Sequence, residues 1–334
     1  MRDRLKTSAF LGVASALILA LLTVGWAASP GGEAARSRLW GRVEAVLGTG
    51  APVRTQNSGV PGPVRFRESD SRGLLVEAWV NGSGPYTFAV DTGAGATILS
   101  GRVASEARVE VESGGGSVEI GGLSGMTMRG AMKAFPRTIA LGSEENRLPS
   151  RGFVVVAPNL PSGVDGVLDP SETFYPLGYV IDLPRGEIRA FDPRRTPLRA
   201  GDAPPGGATV RWLTDGRTRR PFVMLAEGRR ALLDTGSAFG LAVDESAARA
   251  LGVGLERGRE RGERRDLGGG RITAERIRPA TVSIGPLVLR RVPTDLLLRA
   301  EKGAPVILGR DALRPFEIVF DPANRLIMLK PGEE

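Results

Sequence analysis

Histidine and cysteine are both missing from the 334-residue chain. Without histidine there is no Ser-His-Asp or Cys-His nucleophile, no His-ligated zinc and no imidazole to move protons. Without cysteine there are no disulfides, no thiolate catalysis and no thiolate ligands for zinc or iron–sulfur clusters. An enzyme of this composition must work with carboxylates, hydroxyls, Lys or Arg, or a borrowed cofactor. Lysine is scarce as well: only Lys6, Lys133, Lys302 and Lys330 occur, so nearly all of the 45 basic residues, set against 37 acidic ones, are arginine. The arginines are interleaved with Glu and Asp, as in RGRERGERRD at Arg257–Asp266, and no basic stripe carries aromatics for base stacking. That segment is expected to be a solvated loop, and no nucleic-acid partner is expected.

Aromatic residues make up only 5%, while 46 Gly and 24 Pro punctuate the chain, a composition of many turns and short strands. Short β-rich runs such as Leu75–Val80, Tyr86–Val90, Phe153–Val156 and Phe222–Leu225 are bounded by turn residues, so the fold class is mainly β. The length is about twice the ~150 residues of one ordinary domain, which suggests two lobes sharing a cleft.

One long uncharged run stands out. No charge occurs between Lys6 and Glu33, and Ala9–Ala28 is apolar and long enough to cross a bilayer. Arg2, Arg4 and Lys6 precede it, so the N-terminus is expected to stay in the cytoplasm and the rest to be exported to the periplasm or cell envelope. Gly25, Ala27 and Ala28 would suit signal peptidase, so a removed signal and a retained inner-membrane anchor both remain open. Residues 1–28 are therefore expected to be a signal or anchor and 29–70 a linker. Within that linker, Gly31–Glu68 reads as a tether, and the folded part is expected to begin near Leu74.

The rest of the chain repeats itself. Asp91 and Asp234 are 143 residues apart and sit in the same frame: FAVDTGAGATILS at Phe88–Ser100 matches ALLDTGSAFGLAVD at Ala231–Asp244. In each copy a polar cap, Ser100 or Asp244, precedes a short helical stretch. Forty-seven residues after each aspartate come TIALG, at Thr138–Gly142, and TVSIG, at Thr281–Gly285. FVVVA from Phe153 then answers VPTDLLL from Val292, GVLD from Gly166 answers VILGRD from Val306, and YVIDLPRGEIRAF from Tyr179 answers EIVFDPANRLIML from Glu317. A lone Asp-Thr-Gly is usually a turn beside a strand; two copies with matched flanks in the same order are not explained that way. The lobes are expected to span residues 71–200 and 201–334.

The chemistry gives such a duplication a purpose. Apolar residues ahead of each Asp-Thr-Gly hold a strand in a core, glycine allows the sharp turn, and the aspartate is presented where two lobes meet. Two carboxyls brought together cannot both ionise, so they share a proton, and one acts as base and the other as acid on a water between them. Neither a metal nor a cofactor is needed.

From Leu74 to Lys330 the sequence resembles the bacterial retropepsin-like or pepsin-like aspartyl proteases, whose signature is apolar-apolar-Asp-Thr/Ser-Gly-Ala/Ser. The resemblance implies two β-barrel lobes with a cleft between them, and an aspartic endopeptidase taking a peptide or protein substrate in extended conformation. It implies a monomer built as an internal pseudo-dimer. Asp91 and Asp234 would be the catalytic pair, and Thr92 and Thr235 would exchange hydrogen bonds across the lobe junction. Gly93 and Gly236 would make the turns. Ala94 and Ser237 fill the small position, and Ser237 could hydrogen-bond its neighbouring carboxylate. VILGRD resembles the family's second apolar-apolar-Gly element with Gly309 as its glycine, whereas Asp169 stands at that place in the first lobe. Pepsin-like enzymes close a hairpin bearing Tyr over the substrate, but Tyr86, Tyr175 and Tyr179 lie outside the flap regions. Mobile hairpins are instead placed at Gly114–Gly116 and Gly268–Gly270, with plain loops as the alternative. A non-catalytic extracytoplasmic peptide-binding protein on the same fold is the competing function.

Overall fold

The computed structural model describes residues 23–24, 59–113, 118–149, 152–265, 270–298, 300 and 304–332, with the backbone alone for 23–24 and 257–265. Among the described residues strands account for 47% and the helices run only four to six residues, so the protein is mainly β with two lobes.

Each lobe is a twisted sheet, and the strand order is the same in both. In the first, Gly73–Val80 pairs with Ser83–Val90, followed in space by Gly166–Leu168, Ile98–Ser100, Val154–Ala157, Thr127–Phe135 and Val118–Gly121. In the second, Phe222–Met224 pairs with Arg230–Asp234, then come Val306–Gly309, Leu241–Val243, Leu287–Leu297, Arg271–Ile284 and Arg257–Arg265. The parallel contacts also match: Ser83–Val90 with Gly166–Leu168, and Arg230–Asp234 with Val306–Gly309. Gly166–Leu168 and Val306–Gly309 are buried along their whole length, which accounts for their unbroken apolar runs (GVL, VILG) in place of polar alternation.

The lobes share a six-stranded antiparallel sheet. At its centre Gly178–Asp182 pairs with Phe316–Asp321, Tyr179 opposite Phe320 and Asp182 opposite Glu317. Tyr179 and Phe320 stack with centroids 4.5 Å apart, and Trp212 meets both rings edge-on. One apolar cluster runs from Leu74 and Phe88 through this sheet to Leu233 and Leu308, so the scarce aromatics are spent where the lobes join.

The chain enters the fold earlier than its composition suggests. Val64–Arg65 extends the shared sheet beside Glu187–Phe191, and Arg67–Ser69 pairs with Gly73–Val80. Val64 is buried and Phe66 packs on the core, so two apolar side chains anchor a stretch that its Gly, Pro and Arg content marks as a tether. A second expectation is overturned at Arg257–Arg265, which is a strand paired with Arg271–Ile284 and not a loop. A ladder needs only backbone N–H and C=O groups, so a charged run beside a long partner strand is drawn into the sheet.

The uncharged run Ala9–Ala28 lies outside the described residues, apart from Thr23–Val24, a two-residue strand beside Val118–Glu119. Among the described residues no helix is long and apolar enough to cross a membrane.

Candidate active site

Both Asp-Thr-Gly loops leave the ends of parallel-paired strands. The Asp91 amide donates to the Leu168 carbonyl at 2.9 Å, and Asp234 is in register with Gly309. Each loop then re-enters its sheet as Ile98–Ser100 or Leu241–Val243 and passes into a short helix. The Ser100 side chain accepts the Val103 amide at 3.3 Å, and the Asp244 side chain accepts the Ala247 amide at 2.6 Å, as their cap positions require.

The loops meet across the lobe junction. Thr92 and Thr235 are fully buried; the Thr92 amide donates to Thr235 Oγ1 at 3.2 Å and the Thr235 amide to Thr92 Oγ1 at 3.0 Å. Their hydroxyls donate onward, Thr92 to the Leu233 carbonyl at 2.6 Å and Thr235 to the Val90 carbonyl at 3.2 Å. A β-carbon on Gly93 would lie 2.8 Å from Asp234 Cγ, and one on Gly236 would collide with the Asp91 carboxyl. Each carboxyl therefore rests against the opposite loop's glycine, a place no other residue could yield.

Within its own loop Asp91 Oδ1 accepts the Gly93 amide at 2.8 Å, and Asp234 Oδ1 accepts the Ser237 amide at 3.0 Å. Ser237 thus reaches the Asp234 carboxylate through its backbone amide, while its hydroxyl accepts the Phe239 amide at 3.3 Å. Ala94 closes the first loop with its amide on the Asp91 carbonyl at 3.4 Å.

Burial raises the pKa of both carboxyls. For Asp91 the Asp234 charge adds to it, the Gly93 amide opposes it and the hydrogen bond to Asp234 raises it again, leaving it well above the ordinary carboxylate range. Asp234 is also raised by burial, but the hydrogen bond from Asp91, the Ser237 and Gly236 amides and the Arg310 charge all pull it back. The pair is thus placed to hold one proton between two acids.

A profile of the family described as aspartyl protease matches residues 76–168 and 227–312, enclosing both loops. The chain belongs to the aspartyl protease family. The crystal structure of the aspartic proteinase from Irpex lacteus shares its fold: it aligns with a TM-score of 0.50 at 14% identity, over 81% of this chain and 97% of that one. No curated protein sequence matches the chain significantly.

Further residues back the two loops, and Gly309 and Asp169 stand at the places their sequence pattern gives them. Behind the second loop, Gly309 leaves no room for a side chain, since a β-carbon would lie 2.8 Å from the Ser237 carbonyl and collide with that of Phe239. Behind the first, Asp169 takes the equivalent place with its amide on Thr97 Oγ1 at 3.0 Å, and Oδ1 caps the helix Pro170–Thr173 by accepting the Ser171 amide at 2.8 Å. The next residue differs too: the Arg310 amide donates to the Ser237 carbonyl at 2.8 Å, whereas Pro170 has no amide hydrogen to offer. The first loop gains support from the other lobe, because Thr218 and Arg220 pack against Gly95, and Arg220 is tied to Asp215 at 2.5 Å.

The first lobe's hairpin turns at Gly122–Met126, between Val118–Gly121 and Thr127–Phe135. The glycine triplet Gly114–Gly116, where a mobile hairpin is expected, lies outside the described residues. Of the second triplet only Gly270 is described, and it touches Ser124 and Met126 of this turn. Leu123 packs on the second lobe's cluster of Phe239, Ala242, Ile272, Ala274, Leu297 and Ile307. None of the three tyrosines takes part: Tyr86 and Tyr179 are core residues and Tyr175 lies under Arg219. Among the described residues no group of three or more Asp or Glu is placed to hold a metal ion.

Proposed function

We propose that the protein is an aspartic endopeptidase that hydrolyses peptide bonds with water activated between Asp91 and Asp234. The supporting observation is the mutual seating of each carboxyl against the other loop's glycine, which brings two raised-pKa acids together under a rigid Thr92–Thr235 contact. With one shared proton, the ionised carboxyl takes a proton from water as the water oxygen bonds to the carbonyl carbon. The protonated carboxyl gives its proton to the carbonyl oxygen. On breakdown the first carboxyl protonates the amide nitrogen, which leaves with the C–N electron pair, and the second recovers a proton from the diol. The substrate is a peptide drawn out in extended form between the lobes, and one chain supplies both acids, so no second copy is required.

Replacing either acid by its amide tests this. Asp91→Asn and Asp234→Asn should each abolish cleavage of a peptide library while circular dichroism stays native, and the double variant should lose little more, because the acids act as one unit. Cleavage persisting in the folded double variant would refute the mechanism. Because both acids are raised, the wild-type pH profile should be bell-shaped, with its optimum displaced upward from the ordinary carboxylate range.

The setting proposed is outside the cytoplasm, on the strength of the uncharged run Ala9–Ala28 behind Arg2, Arg4 and Lys6. A C-terminal reporter active only in the cytoplasm should be silent in the full chain, and an active one refutes export.

A further inference from the structure

The two catalytic loops are alike in sequence but differ in the charges behind them. Behind the second stands Arg310, only 2% exposed. Its Nη1 donates to the Thr235 and Gly236 carbonyls at 2.8 and 3.1 Å, so a permanent cation is seated on the backbone that follows Asp234. Its counter-charge, Glu68, lies at 3.4 Å and is shared with Arg314 at 2.8 Å. Behind the first loop, Arg310 is replaced by the uncharged Pro170, preceded by Asp169. That carboxyl is completely buried; Oδ1 is bonded to the Ser171 amide and Oδ2 has no partner. Its charged neighbours are already engaged, Glu172 with Arg219, and Arg220 with Asp215 at 2.5 Å. The phenol of Tyr179 faces Ser171.

We propose that Arg310 and Asp169 are positioning residues that polarise the dyad, so that Asp234 ionises first and serves as the base toward water while Asp91 keeps the shared proton. This rests on the peptidase reading for its catalytic meaning, though the polarity itself does not require turnover. Asp234 faces a cation through its own loop, and Asp91 faces a group that is either neutral or negative. The titration tendencies agree: the Arg310 charge pulls Asp234 down, and any charge on Asp169 pushes Asp91 up. In the hydrolysis above, Asp234 is then the group that takes the water proton and later protonates the leaving nitrogen. Asp91 protonates the carbonyl oxygen and recovers the proton from the diol.

Carboxyl-carbon NMR of protein labelled with 13C-aspartate tests this without turnover. Asp234 is followed in Asp91→Asn and Asp91 in Asp234→Asn, each assigned by the signal its own replacement removes. Asp234 should titrate at least about one pH unit below Asp91, a tenfold difference in acidity. Adding Arg310→Met should raise the Asp234 midpoint, and Arg310→Lys should restore part of the shift. Equal midpoints, or Asp91 the more acidic, overturn the proposal, as does a folded Arg310→Met protein whose Asp234 midpoint is unmoved. If Arg310→Met does not fold, the order of the two midpoints in the single aspartate variants decides. A dyad polarised as proposed in a wild type that cleaves no peptide would overturn the peptidase reading alone.

Discussion

Asp169 and Gly309 occupy matching places in the two lobes, Gly309 ending the strand behind one catalytic loop and Asp169 directly following the strand behind the other, yet one is a buried acid and the other has no room for a methyl group. The matching strand order of the two lobes therefore does not extend to the residues that support the dyad, and the two sides should respond differently to mutation.

Burial, with the Glu172 charge adding to it, pushes the Asp169 pKa up to about 8, against about 3.9 in an unfolded chain. Between those values the unfolded state has lost the proton that the folded state keeps, so raising the pH favours unfolding. The loss grows by at most about 1.4 kcal/mol per pH unit and levels off above pH 8. Asp169→Asn should therefore be more stable than wild type near pH 8, with the advantage shrinking toward pH 4. Urea unfolding at a series of pH values measures it, and parallel stability curves for the two proteins would show that Asp169 does not titrate as described.

Gly309→Ala should be poorly tolerated, because the added carbon meets backbone carbonyls of the second loop and those cannot rotate away. A cost of about 1–3 kcal/mol is expected from overpacking, with a greater loss of kcat than of substrate affinity as the Asp234 loop is displaced. Denaturant midpoints and steady-state kinetics report the two effects separately.

Thr92→Val and Thr235→Val each keep the side-chain volume but strip a hydroxyl that accepts the other loop's buried amide. Leaving such an amide unpaired costs roughly 1–3 kcal/mol. Both single variants should lose stability and activity together, and the double variant should lose less than the sum, since the two residues share one network. Additive losses in unfolding experiments would mean that the two hydroxyls act independently.

Leu123 joins the first lobe's hairpin turn to an apolar cluster in the second lobe. Leu123→Ser should weaken that contact, raising KM several-fold and protease sensitivity of the turn with little change in the global unfolding midpoint. An unchanged KM would remove the turn from substrate binding.

The sequence by itself determined the local elements and their duplication. Apolar runs ahead of each Asp-Thr-Gly, the caps Ser100 and Asp244 and the matched later strands are short-range signals, and all of them lie where turn chemistry and strand pattern put them. The family signature likewise named Asp91, Thr92, Asp234 and Thr235, which the tertiary structure brings together. Only that structure decided that Val64–Ser69 joins the sheets, that Arg257–Arg265 is a strand, and that Leu123 reaches the other lobe. It also decided what stands behind the dyad: Glu68 and Arg310 are 242 residues apart, and a buried arginine satisfied by loop carbonyls leaves no periodic trace. Backbone turns and strand faces are encoded within a few residues, whereas the electrostatic setting of a buried carboxyl depends on whichever distant side chains the packed lobes enclose beside it.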